Sequence, residues 1–138
     1  MGCERGVAIY LYKILIADDE YLIRWSLSQA LSHEGYEVIS VEDGKKALEA
    51  AKASHFDFVI TDLVMPELDG WQVLETIRQS QNQPPPRVII ITAHGKDETR
   101  KAAIQKGAWA YVEKPYIIDT IKKMLKEVSR ETPKHPLG

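Results

Sequence analysis

The strongest constraint on the fold of this chain is a set of short apolar runs, rich in β-branched residues, that lack polar alternation. They are KILIA (13–17), DFVIT (57–61) and RVIIIT (87–92). A strand with one face in water alternates polar and apolar residues, whereas a strand buried on both faces is continuously apolar. These runs therefore predict central strands of a sheet that is covered on both sides.

Two weaker runs complete the strand pattern. YEVISV (36–41) carries Glu37 and Ser40 and predicts an edge strand, and AWAYVEK (108–114) is the weakest of the five. Four stretches between or after the runs have apolar residues at helical spacing. These residues are Ile23, Leu27, Ala30 and Leu31; Ala47, Leu48 and Ala51; Val73, Leu74 and Ile77; and Ile117, Ile121, Met124, Leu125 and Val128. A further, thinly apolar helix is predicted from about Glu98 to Lys106.

Strands that alternate with helices predict a parallel sheet with right-handed crossovers and helices on both faces. The predicted fold is a three-layer, flavodoxin-like (βα)5 domain with a five-stranded sheet of order 2-1-3-4-5. Gly35 and Gly107 stand where helices need left-handed C-caps. We expect an N-terminal extension over 1–12, the domain over 13–130, and a tail or the start of a linker over 131–138.

Composition excludes several classes of protein. The 138-residue chain carries a net charge of −2, with 44% hydrophobic and 28% charged residues, so the basic footprint of a nucleic-acid binder is missing. The apolar stretch at 7–17 is interrupted by Lys13 and is shorter than the roughly 20 residues that span a bilayer, so no membrane segment is expected. The single cysteine, Cys3, cannot form an internal disulfide, which favours a reducing, cytoplasmic location.

Polar residues lie at the carboxyl ends of four of the five predicted strands. The carboxyl ends of parallel strands share one edge of the sheet, and ligands bind there. The residues at these ends are Asp18, Asp19 and Glu20 after the first strand, Asp62 after the third, Thr92 in the fourth, and Lys114 after the fifth. We therefore expect these side chains to line one pocket.

The residue types in this pocket indicate phosphoryl chemistry. Clustered carboxylates repel one another unless a cation lies among them, and oxygen ligands of this kind favour Mg²⁺. An ammonium and a hydroxyl beside such a metal stabilise a phosphoryl group, and a carboxylate can be the nucleophile that accepts it. The sequence contains no GxxxxGK[ST] loop, so a nucleotide is not the expected donor.

Four segments together, ILIADDE, ITDLVMPELDG, IIITAHG and AYVEKPY, resemble the receiver domain of two-component response regulators. The match extends from about Lys13 to Arg130. The resemblance implies that Asp62 is the phosphoacceptor and that Mg²⁺ is held by Asp19 directly, by Asp18 largely through water, by Asp62 and by the backbone carbonyl of Val64. It implies further that Thr92 and Lys114 bind the phosphoryl oxygens and that Tyr111 is the aromatic switch residue.

The same resemblance implies a cis Lys114–Pro115 bond and a role for Val64 and His94 in setting how fast the phosphoryl group is lost. The implied partners are a sensor histidine kinase or a phosphotransfer protein, and an output domain or target, with transcription regulation as one candidate output. From the switch model we expect partner binding or homodimerisation through the face formed by the fourth helix, fifth strand and fifth helix. Direct nucleic-acid or membrane binding by this domain is not expected, and neither is enzymatic turnover beyond self-phosphorylation and autodephosphorylation.

Simpler interpretations of the same residues stay open at this point. Asp18 and Asp19 are typical of helix N-caps, and Glu20 is interpreted as first-turn charge. Tyr111 can be a core aromatic residue. The basic residues of the last helix, Lys122, Lys123, Lys126 and Arg130, are most simply its solvated face.

Two other functions compete with the switch. A haloacid-dehalogenase-type phosphatase also combines an aspartyl nucleophile with Thr, Lys and Mg²⁺, but its general acid and base, an aspartate, is expected where this chain has Val64. A receiver-like module that binds partners without phosphorylation is the other alternative. The complete acidic cluster and Lys114 argue against it.

Overall fold

A computed structural model describes residues 12–65, 68–80, 84–93, 95–114 and 117–131, with side chains described through Val128. Most of the predicted N-terminal extension, His94, the proposed cis bond to Pro115 and the tail after residue 131 lie outside these ranges. Among the described residues, no helix has both the length and the apolar character needed to cross a membrane.

The described chain alternates strands and helices as the sequence predicts. The strands are β1 (Lys13–Ala17), β2 (Glu37–Val41), β3 (Phe58–Asp62), β4 (Arg87–Thr92) and β5 (Ala110–Glu113). The helices are α1 (Tyr21–His33), α2 (Gly44–Ala53), α3 (Gly70–Gln79), α4 (Asp97–Gln105) and α5 (Ile117–Glu131). The strands form one sheet of order β2-β1-β3-β4-β5 in which every pair is parallel, so the predicted (βα)5 architecture is confirmed.

Side chains of the sheet alternate between two apolar cores, because successive residues of a strand point to opposite faces. On one face, Ile14, Ile60 and Ile91 pack with the buried residues of α1 and α5. On the other face, Leu15, Val59 and Ile90 pack with the buried residues of α2, α3 and α4. The sheet is thus the middle of three layers, as its unbroken apolar strands require.

The five strands differ in how deeply they are buried. Every residue of β3 is buried, whereas β2, at the edge of the sheet, has no buried residue. Ile39 in β2 is 37% exposed, while Ile60 in β3 is fully buried. The polar residues that marked 36–41 as an edge strand in the sequence therefore predicted its place correctly.

The helices begin and end at residues suited to those positions. Asp43 and Asp69 each accept a hydrogen bond at the start of α2 and α3. Gly35 and Gly107, which follow α1 and α4, have φ angles of 100° and 105°, a conformation in which other residues are strained. Both predicted C-cap glycines are confirmed.

Helix α4 has the smallest buried face. Ala103 is its only buried residue, and Ile104 is 47% exposed. A helix that buries so little apolar surface is held weakly against the sheet. The sequence of this segment has few apolar residues, and the helix accordingly buries little of its surface.

A pair of isoleucine substitutions tests this difference in burial between strands. Ile60→Ala in β3 should lower the free energy of unfolding by about 2–5 kcal/mol, because it leaves a cavity between two packed layers. Ile39→Ala in β2 should cost about 1 kcal/mol or less. Urea unfolding of both variants measures the difference. Equal losses at the two positions would contradict the assigned strand order.

Candidate functional site

Charged residues of the candidate site lie at the carboxyl ends of three strands. Asp18 directly follows β1, Asp62 is the last residue of β3, and Lys114 directly follows β5. Strands β1 and β3 are hydrogen-bonded neighbours in the sheet, with Ala17 opposite Thr61. The carboxylates of Asp18 and Asp62 are therefore brought together by the register of the sheet.

The ammonium group of Lys114 lies among three carboxylates. Its Nζ is 3.1 Å from Asp18 Oδ2, 2.8 Å from Glu20 Oε1 and 3.1 Å from Asp62 Oδ2. The side chain of Lys114 is only 10% exposed, so these contacts are made largely out of water. Lys114 is therefore not a solvated surface lysine.

Burial and charge shift the pKa values of this group. Burial raises the pKa of the Asp18 carboxyl above its ordinary value of 3.8, and the charge of Asp62 acts in the same direction. The N–H of Glu20 and the ammonium of Lys114 oppose this shift but do not cancel it. Burial disfavours the charged form of Lys114, yet its contacts with Glu20, Asp18 and Asp62 outweigh burial and raise the pKa of Lys114.

The segment that carries Asp18 is fixed on three sides. Its N–H donates to the carbonyl of Val41 at 3.2 Å, and its carbonyl accepts from Arg24 Nη1 at 2.8 Å. Its Oδ1 accepts from the N–H of Glu20 at 2.8 Å. Asp18 thus holds a defined position although its charge is costly to bury.

Asp62 is 7% exposed and makes two contacts through its carboxylate. Oδ2 accepts from Lys114 at 3.1 Å, and Oδ1 accepts from the N–H of Val64 at 3.3 Å. Helix α3 begins against the backbone of this residue: a Cβ placed on Gly70 would lie 2.3 Å from the carbonyl oxygen of Asp62. Only glycine at position 70 permits this close approach.

Thr92 and Tyr111 lie on the neighbouring strands β4 and β5. Thr92 is 6% exposed, and its carbonyl accepts from the N–H of Lys114 at 2.8 Å. Thr92 also lines a cavity of about 590 Å³ together with Val64, Met65 and Lys96. Tyr111 is 4% exposed and belongs to the core on the α2, α3 and α4 side of the sheet.

The donor set fits a hard divalent cation. Asp18, Glu20 and Asp62 each offer a carboxylate oxygen, and these oxygens lie within 4.8 Å of one another. Three negative charges face the single positive charge of Lys114. Asp18 Oδ2 is buried and has no hydrogen bond of good geometry among the described residues, although Lys114 lies at ion-pair distance. A cation bound by oxygen ligands would satisfy this oxygen.

The structure brings together Asp18, Asp62 and Lys114 of the predicted site residues, with Thr92 beside them. Asp19, the expected direct metal ligand, is exposed and is not one of the three carboxylates that lie together. Glu20, which we interpreted as first-turn charge, is instead the N-cap residue of α1 and contacts Lys114. The two residues are 94 positions apart, so the local sequence pattern carries no signal of this pair.

Comparison with known proteins identifies relatives of this chain. Residues 14–126 match the family described as the response regulator receiver domain. The chain is 37% identical over 122 residues to the "Probable transcriptional regulator ycf27" of Porphyridium aerugineum, which covers 88% of this chain and 50% of that protein. It is 34% identical over 125 residues to the "Response regulator ArlR" of Staphylococcus saprophyticus. This match covers 91% of this chain and 56% of that protein.

A solved structure is similar over nearly its whole length. The chemotaxis response regulator CheY4 of Vibrio cholerae superposes with a TM-score of 0.79 at 30% identity, covering 86% of this chain and 98% of that one. The curated relatives are longer, and this chain spans about half of their length.

Replacing Gly70 with alanine tests the close packing behind Asp62. Gly70→Ala should lower the free energy of unfolding by about 1–3 kcal/mol, because the new methyl group collides with backbone that cannot move freely. Gly95→Ala is the matched control, since its Cβ would meet Glu113, a flexible side chain, at 2.5 Å. Thermal and urea unfolding should show a clearly smaller loss for the control, and the reverse order would contradict the assigned contact.

A second prediction follows from the raised pKa of Asp18. A group whose pKa is raised by folding favours the native state below its unfolded pKa, and this contribution is lost as the pH rises through the folded value. Without metal, Asp18→Asn should therefore stabilise the protein at pH 7. Its advantage over the wild type should shrink as the pH is lowered towards 3.8.

Urea unfolding in the presence of a chelator, as a function of pH, measures this advantage. Asp19→Asn, a change at the exposed neighbour, should alter stability little. The contrary result would be an Asp18→Asn protein that is less stable than the wild type at pH 7, with a difference that does not change with pH. This result would show that the buried charge of Asp18 is not costly.

Proposed function

This chain belongs to the response regulator receiver domain family, and from that premise we propose that it is a signalling switch in which Asp62 accepts a phosphoryl group. The observation that carries the proposal is the contact between a buried lysine and the carboxylate at the end of β3. Lys114 Nζ lies 3.1 Å from Asp62 Oδ2, and the other carboxylate oxygen has, among the described residues, only the 3.3 Å contact with the N–H of Val64. Asp62 is thus held in position by Lys114, and its Oδ1 makes only a long hydrogen bond with the described residues.

The proposed reaction is transfer from a phosphohistidine on a sensor histidine kinase or a phosphotransfer protein. A carboxylate oxygen of Asp62 attacks phosphorus, the P–N bond breaks, and the imidazole of the donor leaves with the bonding electron pair. Charge on the phosphoryl oxygens grows during the transfer and needs positive partners that are already in place. Lys114, held at the site by its contacts with Asp18 and Glu20, is such a partner.

Magnesium is the proposed cofactor, held by Asp18, Asp19, Asp62 and the backbone carbonyl of Val64. When bound, it would neutralise charge on the carboxylates and on the phosphoryl oxygens. Glu20 is close enough to be an alternative ligand, but its carboxylate already contacts Lys114 at 2.8 Å. The exposed Asp19, on the same segment, would be free of that competition.

We propose that Thr92 and Lys114 recognise the phosphoryl group and that Tyr111 transmits the change. Thr92 is tied to Lys114 through the hydrogen bond between its carbonyl and the N–H of Lys114, so the two respond together. Helix α4, which buries only Ala103, is the element that is easiest to shift. The surface formed by α4, β5 and α5 is the proposed contact for a second copy of this chain or for an output domain.

The nature of the output is also a proposal. The curated relatives include a probable transcriptional regulator, and each is about twice as long as the part that this chain covers. We propose transcription regulation through an output domain or a partner. In this scheme the present domain contributes the switch and makes no direct contact with DNA.

The phosphatase alternative lacks a residue that it requires. A haloacid-dehalogenase-type phosphatase would use an acid two residues after its nucleophile, and this position is Val64, an apolar side chain that is 77% exposed. Without a general base there, hydrolysis of the acyl phosphate is not assisted. Slow loss of the phosphoryl group suits a signalling switch, whereas a phosphatase needs rapid hydrolysis for turnover.

Substitution of Asp62 tests the proposed phosphoacceptor. With a small acyl-phosphate donor and Mg²⁺, the wild type should gain one phosphoryl mass that hydroxylamine removes, whereas Asp62→Asn should not. Asp69→Asn is the matched control, because Asp69 lies on the same loop and asparagine also caps helices well. Intact-mass spectrometry reads out all three proteins. Normal labelling of Asp62→Asn would refute the assignment.

Binding of Mg²⁺ tests the proposed ligands. At a concentration ten times its dissociation constant, Mg²⁺ should stabilise the wild type by about 1.4 kcal/mol, since it binds the folded state. Asp19→Asn should weaken binding more than Glu20→Gln. Unfolding measured over a Mg²⁺ titration gives the affinities, and a larger loss for Glu20→Gln would assign the site to the carboxylates that already lie together.

A further inference from the structure

Tyr111 combines deep burial with an unsatisfied hydroxyl group. Its side chain belongs to the core between the sheet and α2, α3 and α4, and it is 4% exposed. Its hydroxyl oxygen is buried and has no hydrogen-bond partner among the described residues. A buried, unpaired hydroxyl opposes the inward position, because in water the same group would be hydrogen-bonded.

Arg100 lies over the ring of the same tyrosine. The guanidinium carbon of Arg100 is 5.2 Å from the centre of the Tyr111 ring, which is the geometry of a cation–π contact. Arg100 is on α4 and is exposed as a residue, so it covers the buried ring from the solvent side. This contact adds a link between α4 and β5 to the packing of Ala103 in the same core.

The contact stands out because α4 is otherwise held weakly. Ala103 is the only buried residue of this helix. Burial of the ring in the core and the stacked guanidinium favour the inward position of Tyr111, and the unpaired hydroxyl opposes it. Where opposing terms nearly balance, one contact of modest strength decides the population.

We propose that Arg100 is a positioning residue that holds Tyr111 inward and couples the ring to α4. Stacking of this kind at an exposed site changes a population by about two- to fivefold. The population of the inward position of Tyr111 then depends in part on Arg100. The link to signalling rests on the proposed function, whereas the positioning of the ring does not.

Chemical accessibility of Tyr111 tests the proposal. Tyrosine nitration by tetranitromethane, followed by peptide mass spectrometry, reports how often the ring is outward. Tyr21, which is 63% exposed, is the internal reference within each sample. The variants are Arg100→Gln, which removes the charge but keeps a long side chain, and Arg100→Lys, which retains a cation. Lys101→Gln, the same loss of charge at the exposed neighbouring residue of α4, is the matched control.

Arg100→Gln should raise the nitration rate of Tyr111, relative to Tyr21, by about two- to fivefold. Arg100→Lys should restore most of the protection, and Lys101→Gln should match the wild type. A merely structural role for Arg100 would alter unfolding without this charge-specific rescue. Equal nitration in Arg100→Gln and Lys101→Gln overturns the proposal.

Addition of beryllofluoride, a phosphoryl mimic, with Mg²⁺ separates this inference from the proposed function. If the mimic protects Tyr111 in the wild type while Arg100→Gln and Lys101→Gln behave alike, the switch stands and the role of Arg100 is overturned. If Arg100→Gln exposes Tyr111 and the mimic protects the ring in none of the variants, the role of Arg100 is supported and the proposed use of Tyr111 as a switch fails.

Discussion

The site depends on one largely buried ammonium group that faces three carboxylates. Lys114 Nζ lies within 3.1 Å of Asp18 and Asp62 and within 2.8 Å of Glu20. Removing this ammonium would leave the carboxylates without a compensating charge, which costs several kcal/mol at a buried site. The carboxyl ends of β1, β3 and β5 must therefore stay close together, so that Lys114 can compensate the carboxylates. The negative charge that Lys114 leaves uncompensated suits a divalent cation.

The two apolar cores support this charged edge of the sheet, while one helix, α4, is weakly held. Strand β3 is buried throughout, and Gly70 allows α3 to pack directly against the backbone of Asp62. Helix α4 buries only Ala103 and is joined to β5 by the contact of Arg100 with Tyr111. A site whose chemistry is fixed and whose neighbouring helix is weakly held is suited to convert a change of charge into a movement.

Sequence alone predicted the fold because its signal is local and repeated. Buried parallel strands read as apolar runs, and Gly35 and Gly107 marked helix ends that need a positive φ. The shared edge of a parallel sheet then predicted that Asp18, Asp62 and Lys114 meet. The role of Glu20 was missed, since its contact with Lys114 spans 94 positions and depends on the exact direction of two long side chains.

Other features had no sequence signal at all. The unpaired hydroxyl of Tyr111 and its stacking with Arg100 follow from the depth of β5 below α4, which no periodic pattern encodes. The exposure of Asp19 likewise depends on how the segment after β1 turns into α1. Such details arise from tertiary packing between segments that are far apart in the sequence.

The proposed switch requires that a phosphoryl group on Asp62 change the region around α4 and β5. Amide hydrogen exchange of the full chain with and without beryllofluoride and Mg²⁺ tests it most directly. The account predicts that residues 93–118, including the backbone around Tyr111, change most. A response confined to residues 18–20 and 62–70 would mean that the signal does not leave the site in this way.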